Sequence, residues 1–148
     1  MAMTDETVIP RAAVSAAIFR GERVLLVKRG RPPSAGLWSL PGGHIEPGEP
    51  AIEAVRRELM EETGVTAKIF GVADVKDVVH LNDRGKLLFH RVIIVFYGAW
   101  EAGEPEAGSD AELAVWHSTA SIDALATTEG LASIVSSAAN RFRLAANT

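Results

Sequence analysis

Cysteine is absent from these 148 residues. That excludes disulfide bonds and every thiolate-held metal or redox centre, and it fits a reducing compartment. No apolar stretch approaches a membrane span: the longest clean run, residues 92–97, falls far short of the roughly 20 residues a bilayer requires. The opening MAMTDETVIP lacks the basic-then-apolar pattern of a secretory signal. A basic surplus is missing too. With 15 Lys and Arg against 19 Asp and Glu, the formal charge of −4 argues against a general nucleic-acid binder and leaves only a local basic patch open. The expectation is a soluble, cytoplasmic chain without membrane or nucleic-acid partners, with a homodimer left open. What is present is ordinary for a globular protein. At 47% hydrophobic and 23% charged, the chain can bury a core, and its length suits one domain, residues 10–148, behind a flexible arm at residues 1–9.

One stretch organises the rest: residues 43–65, GHIEPGEPAIEAVRRELMEETGV. Pro41-Gly42-Gly43 reads as a loop that neither continues a strand nor starts a helix comfortably. Pro50 suits the first turn of a helix. Residues 51–63 carry good helix formers with no internal Gly or Pro, and Gly64 stands where a C-terminal cap glycine belongs. At roughly 100° per residue, Ile52, Val55 and Leu59 share one apolar arc. Glu58, Glu61 and Glu62 form an arc that borders it rather than opposing it, with Glu62 almost beside Val55. A solvated acidic face fits this poorly. Glu58 and Glu62 repel as a like-charge i,i+4 pair, and no lysine follows to relieve them. A hard divalent cation would, since Mg²⁺ prefers oxygen ligands. Arg57 stands four residues from both Glu53 and Glu61, and pairing there would stiffen the site.

The stretch resembles the Nudix box, G-x5-E-x7-R-E-U-x-E-E-x-G-U with U apolar, and every fixed position is filled. Seven fixed identities at about 7% each would coincide in a given register with odds on the order of 10⁻⁸, so accident is not the explanation. The resemblance implies an α/β (α+β) fold, a Nudix α/β/α sandwich with a mixed β-sheet between helices. It further implies that Glu58, Glu61, Glu62 and the Gly43 backbone hold Mg²⁺, for which Mn²⁺ substitutes. Glu49 matches a box glutamate with a structural or secondary metal role, and Gly64 is structural.

Along the chain, residues 11–19 and 23–29 read as strands, 30–36 as a loop, and 37–40 as a short strand feeding the box. Beyond the helix, 66–72 and 75–81 read as two strands, 82–85 as a hairpin-like turn, and 87–100 as a strand around RVIIVFY. Residues 101–110 form an acidic loop, 114–117 a short strand, and 118–125 a turn or short helix. From Thr128 the apolar spacing Leu131, Ile134, Val135, Ala138, Phe142 is helical.

Lys28, Arg29 and Arg31 are either a solvated loop or a phosphate clamp, with Arg29 favoured for bidentate phosphate contact. Trp38 reads first as core and second as a platform for substrate. His44, His80, His90 and His117 show no zinc spacing, and His44 alone, inside the box, is placed to approach substrate. Asp110 and Glu112 are candidates for one extra carboxylate, against the alternative of a solvated loop.

The chemistry implied by the resemblance is Mg²⁺-dependent hydrolysis of a diphosphate bond in a nucleoside diphosphate linked to another moiety. Catalysis would fall to Glu58 or Glu61 as base, with Arg57 alongside. The stretch KRGRPPSAGLWSLPGGHIEPGE is similar to small bacterial members acting on ADP-ribose, the first guess for a small-molecule nucleotide substrate. The proline that marks many such enzymes is missing, however, and His80 and Leu81 stand in its place. A nucleoside triphosphate is the alternative substrate. A nucleotide-sensing module without turnover is the alternative of another class.

Overall fold

A computed structural model describes residues 7–147. The expected N-terminal arm lies outside them as far as residue 6. Ten elements follow in order: β1 (Arg11–Arg20), β2 (Arg23–Arg29), β3 (Trp38–Ser39), β4 (Gly42–His44), α1 (Ala51–Thr63), β5 (Thr66–Leu81), β6 (Leu87–Ala102), β7 (Ala111–Ser118), a 3-10 helix (Thr119–Ala124) and α2 (Leu131–Ala146). The strands make one mixed sheet in the order β3-β2-β1-β6-β5, with β4 joined to β1 and β7 to β2. Only β1 and β6 run parallel, from Arg11 beside Arg91 to Phe19 beside Ala99.

Strand β1 shows why helices cover both faces. Its side chains alternate across the sheet. Val14, Ala16 and Ile18 pack with Ala54, Val55 and Leu59 of α1, while Ala17 and Phe19 pack with Leu131, Val135 and Ala138 of α2. A strand buried on both sides carries no polar alternation, and RAAVSAAIF has almost none. This is the α/β/α sandwich with the mixed sheet in the middle layer.

Three expected boundaries change. The loop reading of Pro41-Gly42-Gly43 gives way to strand β4, which pairs with β1 through Val14–Gly43 and Ser15–Gly42. Glycine serves here because a Cβ on Gly42 would overlap the Val14 carbonyl oxygen. The two strands expected at 66–72 and 75–81 are one 16-residue strand, β5, in which Phe70 and Ala73 are the extra residues of two register shifts against β6. Strand β7 starts at Ala111, three residues early, because it pairs with β2 as far as Arg29.

The split partnership of β1 positions the site. Its C-terminal end pairs with β2 and its N-terminal half with β4. The box strand therefore enters the sheet beside α1, and Gly43 meets the helix.

Candidate active site

Helix α1 spans the expected residues, and Gly64 closes it at φ 70°, its N–H bonded to Met60 O at 2.9 Å. Pro50 stands just outside the first turn with extended backbone. The acidic arc borders the core as its angles required: Val55 and Leu59 are buried, and Glu62 is only 7% exposed. Glu62 accepts a hydrogen bond from the Gly42 N–H at 3.2 Å. Burial nevertheless pushes its carboxyl up to about 7, helped by the nearby Glu58 and Asp110 charges and opposed by the Gly42 bond and Arg29. Glu58 is raised as well, first by burial, with Arg57 pulling the other way.

Arg57 is the hub. Its Nε and Nη2 donate to both oxygens of Glu49 at 2.7 and 3.0 Å, a bidentate pairing. Nη1 donates to Glu58 Oε1 at 2.9 Å and Glu61 Oε2 at 3.2 Å, and Nη2 also reaches the His44 carbonyl at 3.1 Å. The expected pairing with Glu61 is present. The one with Glu53 is not, since Glu53 bonds Arg56 at 3.2 Å instead. Glu49 takes that place because the 45–50 loop folds back along the helix, with Glu46 N–H donating to Glu49 Oε1 at 3.0 Å. Arg57 above all, then the Glu46 N–H, holds the Glu49 carboxyl down at about 2.

Gly43 lies directly against Glu58. A Cβ there would stand 2.5 Å from Glu58 Oε1. The two adjacent glycines therefore predict different failures. Gly42→Ala drives a methyl into backbone and should lower stability by about 1–3 kcal/mol, the usual cost of overpacking. Gly43→Ala meets only the end of a side chain that can swing aside, so it should keep its fold and lose turnover as Glu58 is displaced. Denaturant midpoints beside turnover rates check both. A Gly43→Ala enzyme with normal turnover would contradict the placement.

Among the described residues no three His, Cys, Asp or Glu side chains converge as a finished metal cage. Arg57 holds Glu61 to one side, and the Glu61 side chain is 48% exposed. What remains fits a hard divalent cation: the oxygens of Glu62, buried with no ion-pair partner among the described residues, those of half-buried Glu58, and the Gly43 backbone packed against Glu58.

The raised Glu62 carboxyl also has a consequence for stability. Between about 4.5 and 7 the folded protein holds a proton that the unfolded chain has released. Metal-free stability should therefore fall as pH rises through that window and level off above it. Unfolding midpoints in EDTA against pH test this. Glu62→Gln should flatten the slope, and an unchanged slope would assign it to another group.

The remaining candidates divide. Arg29 stands close enough to act electrostatically on both Glu62 and Arg91. Asp110 lies near enough to raise Glu62, and its carboxylate pairs with Arg31 Nε at 3.1 Å. Glu112 is exposed within β7. His44 lines a cavity of about 220 Å³, and burial followed by the Arg11 and Arg91 charges lowers its pKa. Trp38 packs instead on the α2 side of the sheet, its backbone tied to Ala126 and Thr128.

Sequence reasoning missed the role of the acidic loop. Its backbone N–H groups at Glu106 and Gly108 donate to Thr63 O and Glu62 O at 2.9 and 3.0 Å, satisfying carbonyls at the end of α1. A Cβ at Gly108 would stand 2.5 Å from Glu61 O, and the glycine in EAGSD is the signal that the backbone must approach closely.

The NUDIX domain family matches residues 9–137. A protein of Methanocaldococcus jannaschii named ADP-ribose pyrophosphatase is 39% identical over 103 residues, 70% of this chain and 59% of that one. A Mycobacterium tuberculosis protein provisionally named 8-oxo-dGTP diphosphatase 2 is 42% identical over 96 residues, 64% of each chain. The match thus spans less than two thirds of these relatives. The crystal structure of a MutT NUDIX hydrolase from Burkholderia pseudomallei superposes with a TM-score of 0.74 at 32% identity, covering 87% of this chain and 98% of that one.

Proposed function

We propose, since the chain belongs to the NUDIX family, that it hydrolyses a diphosphate bond in a nucleoside diphosphate linked to a second moiety, with ADP-ribose the first substrate to try. The observation that carries the reading is the pair of carboxylates on one arc of α1: Glu62, buried without an ion-pair partner among the described residues, and Glu58, half-buried against Gly43. Glu58, Glu62 and the Gly43 backbone would hold Mg²⁺ or Mn²⁺, with Glu61 joining when it leaves Arg57. Bound there, the cation offsets phosphate charge and acidifies a water.

The chain's own groups do the rest. Arg57 fixes Glu58 and the 45–50 loop through its five hydrogen bonds. Arg29 offers a guanidinium to phosphate oxygens. A glutamate of the cluster accepts the proton of the attacking water; Glu58, half-buried with its proton affinity raised, suits that role better than the exposed Glu61. Because the carboxylates interact, the pH profile should report the cluster rather than one residue. Asp110 is the better placed of the two extra carboxylates, being near Glu62.

A nucleoside triphosphate is the second reading, favoured by the relative named for 8-oxo-dGTP. The test is a panel of ADP-ribose, other nucleoside diphosphate conjugates and nucleoside triphosphates, followed by phosphorus NMR with Mg²⁺ and with EDTA. Metal-dependent cleavage of a conjugate supports the first reading, and cleavage confined to triphosphates supports the second. Binding without turnover across the panel would make the protein a sensor.

A further inference from the structure

Beside the box, the start of β1 and the start of β6 place two arginines side by side. Arg11 and Arg91 are partners in the parallel ladder, and both line the 220 Å³ cavity that His44 also borders. Like charges directly opposite one another destabilise a sheet. Neither pairs with a carboxylate among the described residues; Arg91 is partly buried and Arg11 exposed. Burial first, and then the charges of Arg29 and Arg11, weaken the hold of Arg91 on its own proton.

Arg91 is also held in place. The Arg91 guanidinium lies 4.4 Å from the centre of the Phe89 ring, and Phe89 in turn stacks on His80 at 5.0 Å. Stacking uses the flat face of a guanidinium and leaves its in-plane N–H donors available. Ile9, Leu88 and Phe89 supply apolar wall. The cavity is smaller than the roughly 300–1,000 Å³ of a pocket that engulfs a whole drug-sized ligand, so it suits a fragment.

From this we propose that Arg11 and Arg91 form a second anion seat, which binds a phosphate of the substrate other than the one facing Glu58 and Glu62. The assignment rests on the diphosphate-hydrolase reading for its substrate. The seat favours substrates with phosphate and a small ring on the far side of the scissile bond, such as a sugar phosphate. It is a binding and specificity device, not a catalytic one.

Binding without metal separates this from turnover. Calorimetry in EDTA with ribose 5-phosphate and with ADP should show binding to the wild type. Arg11→Gln and Arg91→Gln should each weaken it roughly tenfold to a hundredfold, as loss of a charged hydrogen bond does. Adenosine, which has no phosphate, should not respond to either change. Because a repulsive pair is removed, Arg11→Gln should melt no lower than the wild type, whereas a structural role predicts a lower melting temperature. Wild type that binds neither ligand, or a double variant that binds both as wild type does, would overturn the proposal. Should Arg91→Gln fail to fold, amide shifts of the wild type on adding ribose 5-phosphate decide: changes centred on residues 11 and 88–91 support the seat, and changes only elsewhere overturn it. Failure of the wild type to cleave any diphosphate with Mg²⁺ is a separate result, and it strikes the hydrolase reading alone.

Discussion

Glu62→Gln is expected to fold normally and to lose turnover by well over a hundredfold. Losing a residue that merely orients a metal ligand costs about 10–100-fold in affinity or activity, and Glu62 is placed as a ligand itself. The substitution nearly preserves shape, and its amide oxygen can still accept from the Gly42 N–H, so the strand–helix contact at 3.2 Å survives. Removing a buried charge whose carboxyl already sits at about 7 should also raise metal-free stability above neutral pH. Loss of activity with gain of stability is a combination that misfolding cannot imitate. Turnover at saturating Mg²⁺ beside an unfolding curve in EDTA reads both. Near-normal turnover would remove Glu62 from the site.

Arg57→Lys should be the second large loss. Lysine keeps one charge but cannot span both Glu49 oxygens while also reaching Glu58, Glu61 and the His44 carbonyl. Two consequences follow from those contacts. The 45–50 loop loses its tie to α1, and Glu58 loses its only ion-pair partner among the described residues. Turnover should drop about 10–100-fold, as for other groups that orient a ligand. The pH dependence should shift upward at the same time, because Glu58 would hold its proton more tightly without the guanidinium. A stability loss with an unshifted pH profile would show that Arg57 only braces the loop.

How much of this was legible in the chain depends on the range of the interactions. Helix α1, its glycine stop and the place of Glu62 beside Val55 follow from local spacing, and they stand where the periodicity put them. The sandwich follows from the resemblance of residues 43–65 to the Nudix box, since the order of elements alone leaves α/β and α+β both open, and the two-sided burial of RAAVSAAIF agrees with it. What escaped was non-local. Gly42–His44 looked like a turn because glycine weakens strands, yet β1 accepts it only because no Cβ obstructs Val14. Residues 66–81 read as two strands parted at Ala73-Asp74, where β5 instead runs on, carrying Ala73 as an extra residue in a register shift against β6. Helical spacing offers Arg57 both Glu53 and Glu61; it pairs with Glu61, while Glu49, a loop residue eight positions earlier, takes the place of Glu53 with bidentate geometry. The acidic loop offers only Gly108 as a sign that its backbone closes on α1, and Arg11 lies 80 residues from Arg91 until the parallel ladder joins them.

The central claim is that Glu58 and Glu62 hold a divalent cation, and melting temperature against metal concentration tests it most directly. A cation that binds only the folded state stabilises it by mass action. At a pH above 7, Mg²⁺ should raise the melting temperature of the wild type beyond what NaCl does at equal ionic strength, with saturation. In Glu62→Gln that excess should vanish. If NaCl reproduces the whole effect, or if the variant responds to Mg²⁺ as the wild type does, the carboxylates do not hold the metal.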